Sequence, residues 1–216
     1  MDLRQAIRST GAARRFTDQA VPDELIAELL DDARHAPSGG NRQPWRVAVV
    51  NDTHVRRRLA ELMQPVWNEY VAASKAGQVP FNSVDYRPAP RDAHARNPLL
   101  DEIDSVPVVL VVGADLRKIV ATDAQLDRTA LIPGASVYPF CWSLLLAARA
   151  HGLGGVMTTM IGRVEREAGA LLRLPEHHAL AATIFLGHPV DQPTKLTRSP
   201  VSAFATVDGF DGLAFG

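Results

Sequence analysis

A chain of 216 residues, 46% of them apolar and 22% charged, is long enough for one domain with a full core. A net charge of −1 excludes a global basic field for nucleic acid or an anionic membrane. A single cysteine, Cys141, excludes an intramolecular disulfide and a cysteine-rich metal site, and its apolar helical surroundings predict a buried, inert thiol. The N-terminus lacks the apolar run of a signal peptide and no stretch is long enough to cross a bilayer, so a cytoplasmic protein is expected.

The predicted elements run as follows. Leu3, Ala6 and Ile7 share one face of a short helix over Met1 to Ser9. Thr10 to Phe16, T-G-A-A-R-R-F, superficially resembles the glycine turn of short-chain dehydrogenases. Arg15 and Thr17 stand at the later glycine positions, however, and no strand precedes. What remains is an arginine pair, Arg14 and Arg15, suited to an anion. Val21-Pro22-Asp23-Glu24 opens a helix with Leu25, Ile26, Leu29, Leu30 and Ala33 on one face, ending before Pro37. Val47 to Val50 is an apolar strand. Asn51 and Asp52 open a helix carrying Leu59, Leu62, Met63 and Val66, with a kink expected at Pro65. Arg56-Arg57-Arg58 on it reads as a solvated face.

Residues 76 to 104 lose periodicity and read as a lid-like segment with short helical pieces, its Asp101, Glu102 and Asp104 solvated. Ser105 to Gly113 is a buried central strand with Pro107 near its start. Tyr138 to Ala150 is apolar nearly all round and predicts a buried helix, with the glycines of His151 to Gly155 capping its end. Val156 to Thr159 reads as extended, Val164 to Leu172 as a helix, His177 and His178 as loop, and Leu180 to Leu186 as a buried strand. The tail from Val190 carries Val201, Phe204, Val207, Phe210 and Phe215 with no helical face, which suits wrapping around another subunit.

Between the second helix and the first strand lies Ala36 to Trp45, A-P-S-G-G-N-R-Q-P-W. Gly39 and Gly40 permit positive φ and close approach, and Pro44 stiffens the exit. Ser38, Asn41 and Gln43 supply donors and acceptors. Alone, this is turn chemistry. No G-x-S-x-G, Walker A, H-E-x-x-H or C-x-x-C motif is present. The chain therefore offers little covalent or metal chemistry, and an enzyme built this way would use an organic cofactor.

Four pieces in order resemble the FMN-dependent nitroreductase family. They are R-R-F at Arg14 to Phe16 with V-P-D-E at Val21 to Glu24; A-P-S-G-G-N-R-Q-P-W; G-L-G-G-V-M-T-T at Gly152 to Thr159; and L-P-E-H-H-A-L-A-A-T-I-F-L-G-H-P followed by L-T-R-S-P. The resemblance covers nearly the whole chain outside residues 76 to 104. It implies a single α+β domain over residues 1–216, with a central mostly antiparallel sheet flanked by helices. It also implies an intertwined homodimer with C-terminal arm exchange and FMN at the interface.

By that resemblance Arg14 lies near the flavin N1–C2=O edge, where a cation stabilises negative charge on the reduced ring. Thr10, Gly11 and Ala12 replace the first three residues of the family's N-terminal FMN motif, Arg15 can compensate, and Arg198 matches the C-terminal phosphate-binding arginine. Ser38, Gly40, Asn41 and Gln43 belong to a loop supplied across the dimer. Met157, Thr158 and Thr159 lie beside the isoalloxazine ring. The implied activity is ping-pong: NADH or NADPH reduces FMN, and a nitroaromatic, quinone or similar conjugated acceptor reoxidises it. Alternatives on the same scaffold are reductive dehalogenation, which the S-G-G stretch also resembles, oxygen-dependent destruction of FMN, and flavin binding without turnover.

Overall fold

The computed structural model describes residues 1–216. Its centre is a four-stranded sheet of β1 (Trp45–Val49), β2 (Val108–Asp115), β3 (Gly154–Thr158) and β4 (His178–Gly187). The order is β1-β2-β4-β3 and every pairing is antiparallel. The helices are α1 (Leu3–Ser9), α2 (Asp23–Ala33), α3 (Thr53–Lys75), α4 (Pro98–Asp101), α5 (Tyr138–Ala150) and α6 (Glu165–Leu172).

All eight residues of β2 are buried, because both faces of the sheet are covered. The two-residue period divides them cleanly. Val108, Leu110, Val112 and Ala114 join Ala182, Ile184 and Leu186 against α2 and α5. Val109 and Val111 join Val156, Phe185 and Leu180 against the α3, α4 and α6 side. Trp45 stacks on Phe140 of α5 with centroids 4.9 Å apart, so the last residue of the A-P-S-G-G-N-R-Q-P-W stretch begins β1 and packs, partly buried, against the core. Burial pushes the Cys141 thiol up to about 12, in keeping with an inert core cysteine.

Helix α3 runs through Pro65 to Lys75, where the aperiodic segment is expected to begin. Other elements depart from the sequence reading. Arg56 is not part of a solvated face. It is buried, donating to the carbonyl oxygens of Val50 (2.6 Å), Val106 (2.7 Å) and Pro107 (3.3 Å). Burial pulls its guanidinium below the usual arginine range. Only its neighbours are solvated, with Arg57 paired to Asp104 and Arg58 to Glu61. The segment read as a lid ends earlier than expected, since Asn97, Leu99, Leu100 and Ile103 are core residues. His178 is the first residue of β4, not loop.

The glycines after α5 divide into two roles. Gly152, at φ +78, follows the helix C-cap, as expected. Gly154 and Gly155 instead open β3. A Cβ on Gly154 would lie 2.7 Å from the Ala13 Cβ, and one on Gly155 would lie 2.9 Å from the Phe185 oxygen. These glycines let the N-terminal segment and α5 approach the sheet edge.

The tail crosses back over the N-terminal segment, with Gly11 N donating to Pro193 O (3.1 Å) and Gln192 Nε2 to Gly11 O (2.9 Å). It then forms a small hairpin with a bridge between Thr206 and Ala214. Phe204, Phe210, Leu213 and Phe215 on it are exposed.

Candidate functional site

Backbone pairing fixes where Arg14 goes. Ala12 bridges Gly155 in parallel and Ala13 N donates to Gly155 O at 3.1 Å. Further along, Val190 N donates to Arg15 O (3.0 Å) and Thr17 N to His188 O (2.8 Å). The segment is thus clamped between β3 and the end of β4, and Arg14 points over the C-terminal half of β3.

There a cavity of about 710 Å³ opens. Arg14 and Val156 to Met160 form one side, and Val66, Trp67 and Tyr70 of α3 another. Pro80 and Phe81, then Asn97 to Leu99, and finally Gly162 and Arg163 complete it. Its size suits a drug-sized organic ligand. No carboxylate lines it. Arg14 has no ion-pair partner, its one contact being Ala12 O at 3.5 Å. The Thr158 hydroxyl is buried and has no hydrogen-bond partner in the chain. Orphaned groups of this kind are costly unless a ligand completes them.

The rim is aromatic. Trp67 and Tyr70, one turn apart on α3, stack with centroids 5.4 Å apart. Phe81 and Tyr86 stack at 6.1 Å. The Arg163 guanidinium lies 5.1 Å from each of these two centroids. Phe81 is held at φ +53, a region a bulky side chain enters only under constraint. Tyr86 donates to Glu69, which is 2% exposed and lies 2.6 Å from Arg91.

The family model for the nitroreductase family matches residues 7–188. The chain belongs to the nitroreductase family. A relative described as NADH dehydrogenase from Thermus thermophilus is 28% identical over 211 residues, 93% of each chain. An iodotyrosine deiodinase from Thermotoga neapolitana is 28% identical over 191 residues, 87% of this chain and 89% of that one. Among solved structures, the NADPH:FMN oxidoreductase of Vibrio harveyi superposes with a TM-score of 0.70 at 21% identity. The match covers 97% of this chain and 78% of that one, and it shows the shared fold. The α+β class and the antiparallel sheet expected of a nitroreductase relative are therefore correct.

Within this nitroreductase fold the structure brings Arg14, Met157, Thr158 and Thr159 to one cavity. The other residues singled out in the sequence lie elsewhere. Thr10 Oγ1 donates to Ala6 O (2.7 Å) at the end of α1. Gly11 packs on Pro193, and Ala12 pairs with Gly155. Arg15 is engaged by Asp191 at 2.5 Å. Arg198 is exposed on the tail, beyond the matched residues, and donates to Thr197 O.

The Ser38 loop is held by its own contacts. Gln43 N donates to Ser38 Oγ and Gly39 N to Ser136 Oγ, both at 3.0 Å. Gly40, Asn41 and Gln43 all have positive φ, so only the first is free of side-chain strain. This loop leads into β1, while the cavity is built on β3. These are the two opposite edges of the sheet, three strand spacings or about 14 Å apart.

Sequence reasoning missed Trp67, Tyr70, Phe81 and Arg163. Two signals were legible: an aromatic pair at i, i+3 on a helix face, and an arginine four residues after Thr159.

Proposed function

We propose that the protein is an FMN-dependent oxidoreductase that takes a hydride from NADH or NADPH and reduces a nitroaromatic, quinone or similar conjugated acceptor. Family membership supports the oxidoreductase class. The observation that carries the flavin is the pairing of Arg14, a cation without a counter-charge, with the orphaned Thr158 hydroxyl on a carboxylate-free cavity. These residues fit a flat, electron-poor ring that gains negative charge on reduction. FMN, when bound, accepts the hydride from the nicotinamide and passes electrons to the acceptor. Arg14 supplies fixed positive charge beside the ring, and Thr158 supplies a hydroxyl donor. Trp67 and Tyr70 give a flat apolar wall for the donor and acceptor, and exclude water.

The reading includes a homodimer. A second copy would bring Ser38, Gly40, Asn41 and Gln43 to the opposite side of the ring and cover Phe204, Phe210 and Phe215 of the tail by arm exchange. The edge-to-edge separation of β1 and β3 supports this, because within one chain the Ser38 loop lies on the sheet edge opposite the cavity. Arg198 is left to hold the phosphate, since the Thr10 and Gly11 N–H groups already donate to Ala6 O and Pro193 O. No helix is long and apolar enough to cross a membrane. A nicotinamide donor fits the cytoplasm.

The test is anaerobic. Protein reconstituted with FMN should lose its flavin absorbance on addition of NADH or NADPH and regain it with acceptor. A preparation that takes up no FMN overturns the proposal. The likeness to iodotyrosine deiodinase favours a second reading, reductive removal of halide from an aromatic ring. Halide release from a halogenated phenol under the same conditions would identify it.

A further inference from the structure

Arg163 is not needed for the flavin side of the cavity, which Arg14 and Thr158 occupy, yet it is elaborately positioned. Its guanidinium covers the Phe81 and Tyr86 rings at 5.1 Å. Nη2 donates to Tyr86 Oη at 3.1 Å, and Tyr86 in turn donates to the buried Glu69 carboxylate. That carboxylate is neutralised by Arg91 at 2.6 Å, not by Arg163, which has no acidic group within 4.0 Å. The charge of Arg163 is therefore uncompensated, and its remaining N–H groups are unpaired within the chain. Phe81, one of the two rings, sits at φ +53, a conformation that its surroundings must hold. A planar cation fixed by two rings and a phenol, at the mouth of a cavity with no carboxylate, is built to receive an anion.

We infer that Arg163, seated on Phe81 and Tyr86, binds the anionic group of a substrate entering this cavity, so that the protein selects conjugated acceptors bearing a carboxylate. This rests on the oxidoreductase reading above. The same anion chemistry is offered by the 2′-phosphate of NADPH, and the experiment separates the two.

In the first arm, FMN-loaded protein is titrated calorimetrically with 4-nitrobenzoate and with 4-nitrobenzamide, which share a ring and differ in charge. The carboxylate should bind about tenfold more tightly, the worth of one charge-assisted contact. In Arg163→Met that ratio should fall to about one, and Arg163→Lys should restore part of it. In the second arm, the rates of flavin reduction by NADPH and NADH are compared in the same proteins. A preference for NADPH that disappears in Arg163→Met, with no carboxylate preference in the first arm, assigns the anion site to the donor's phosphate and overturns selection of the acceptor. Ratios that Arg163→Met leaves unchanged in both arms overturn it. Wild-type protein that takes up no FMN fails the underlying reading instead, a different outcome from FMN-loaded protein that shows no charge preference.

Discussion

The two ends of α3 use polar side chains in opposite ways. Near its start, Arg56 is buried and its guanidinium donates to three backbone carbonyls at the ends of β1 and β2. Near its end, the helix presents Trp67 and Tyr70 to a cavity whose other walls carry Arg14, Arg163 and a Thr158 hydroxyl with no partner. Arg56, which serves the fold, finds its partners within the chain. A polar group that serves a ligand is left incomplete, at some cost in stability. The same residue type, arginine, occupies both situations, so residue identity alone does not separate them.

The largest expected effect tests the closed end. Arg56→Met strips three carbonyls of their donor in a buried place and should cost about 3 kcal/mol. For a domain of this size that is about 6–12 °C in Tm. A thermal melt that moves by less than about 2 °C would show that water replaces the guanidinium, and the contrast would fail at that end.

The open end predicts the reverse pattern. Thr158→Val removes a hydroxyl that has no partner in the chain, so the flavin-free protein should keep its Tm or gain slightly. FMN affinity, measured by fluorescence titration, should fall about tenfold, since one hydrogen bond to the ring is lost. A flavin-free protein that is clearly destabilised would place Thr158 with Arg56 as a structural residue.

The smallest effect concerns an acid that serves the fold through one oxygen, its Oδ1 being buried without a partner. Asp123 Oδ2 accepts from Leu131 N (2.7 Å), Ile132 N (3.2 Å) and Arg128 (2.8 Å). The Leu131 N–H leads in holding its carboxyl at about 2 against an ordinary 3.8. Burial opposes this, and Arg128 and the Ile132 N–H assist. A depressed folded value stabilises the protein above the unfolded value, and that stability is lost as pH falls through the folded one. The stability gap between wild type and Asp123→Asn should therefore be present at about pH 6 and should close between about pH 4 and 2. Chemical denaturation across that range measures it, and a gap independent of pH would mean that the charge of Asp123 does not matter.

Much of the fold was legible because burial imposes periods on the sequence. The faces of α2 and α3 and the strands β2 and β4 follow from the spacing of apolar residues. Arg56 was misread because an arginine's burial depends on carbonyls fifty residues away at Val106 and Pro107. Gly154 and Gly155 were read as a cap because their need for close approach arises from Ala13 and Phe185, which local spacing does not reveal. Within the candidate site, Arg14 and Met157 to Thr159 were found through motifs. Phe81 and Arg163 were not, because they meet only through the return of residues 76–97 over α3 and the turn after β3.

The sequence by itself determined the elements, the family, and the absence of disulfide or cysteine-rich metal chemistry, since these depend on composition, local periodicity and ordered motifs. Only the tertiary structure decided which polar groups are satisfied and which are left open. Hydrogen-bond completion is a property of what surrounds a side chain, and the partners of Arg56, Thr158 and Arg163 are set by packing between segments distant in the chain.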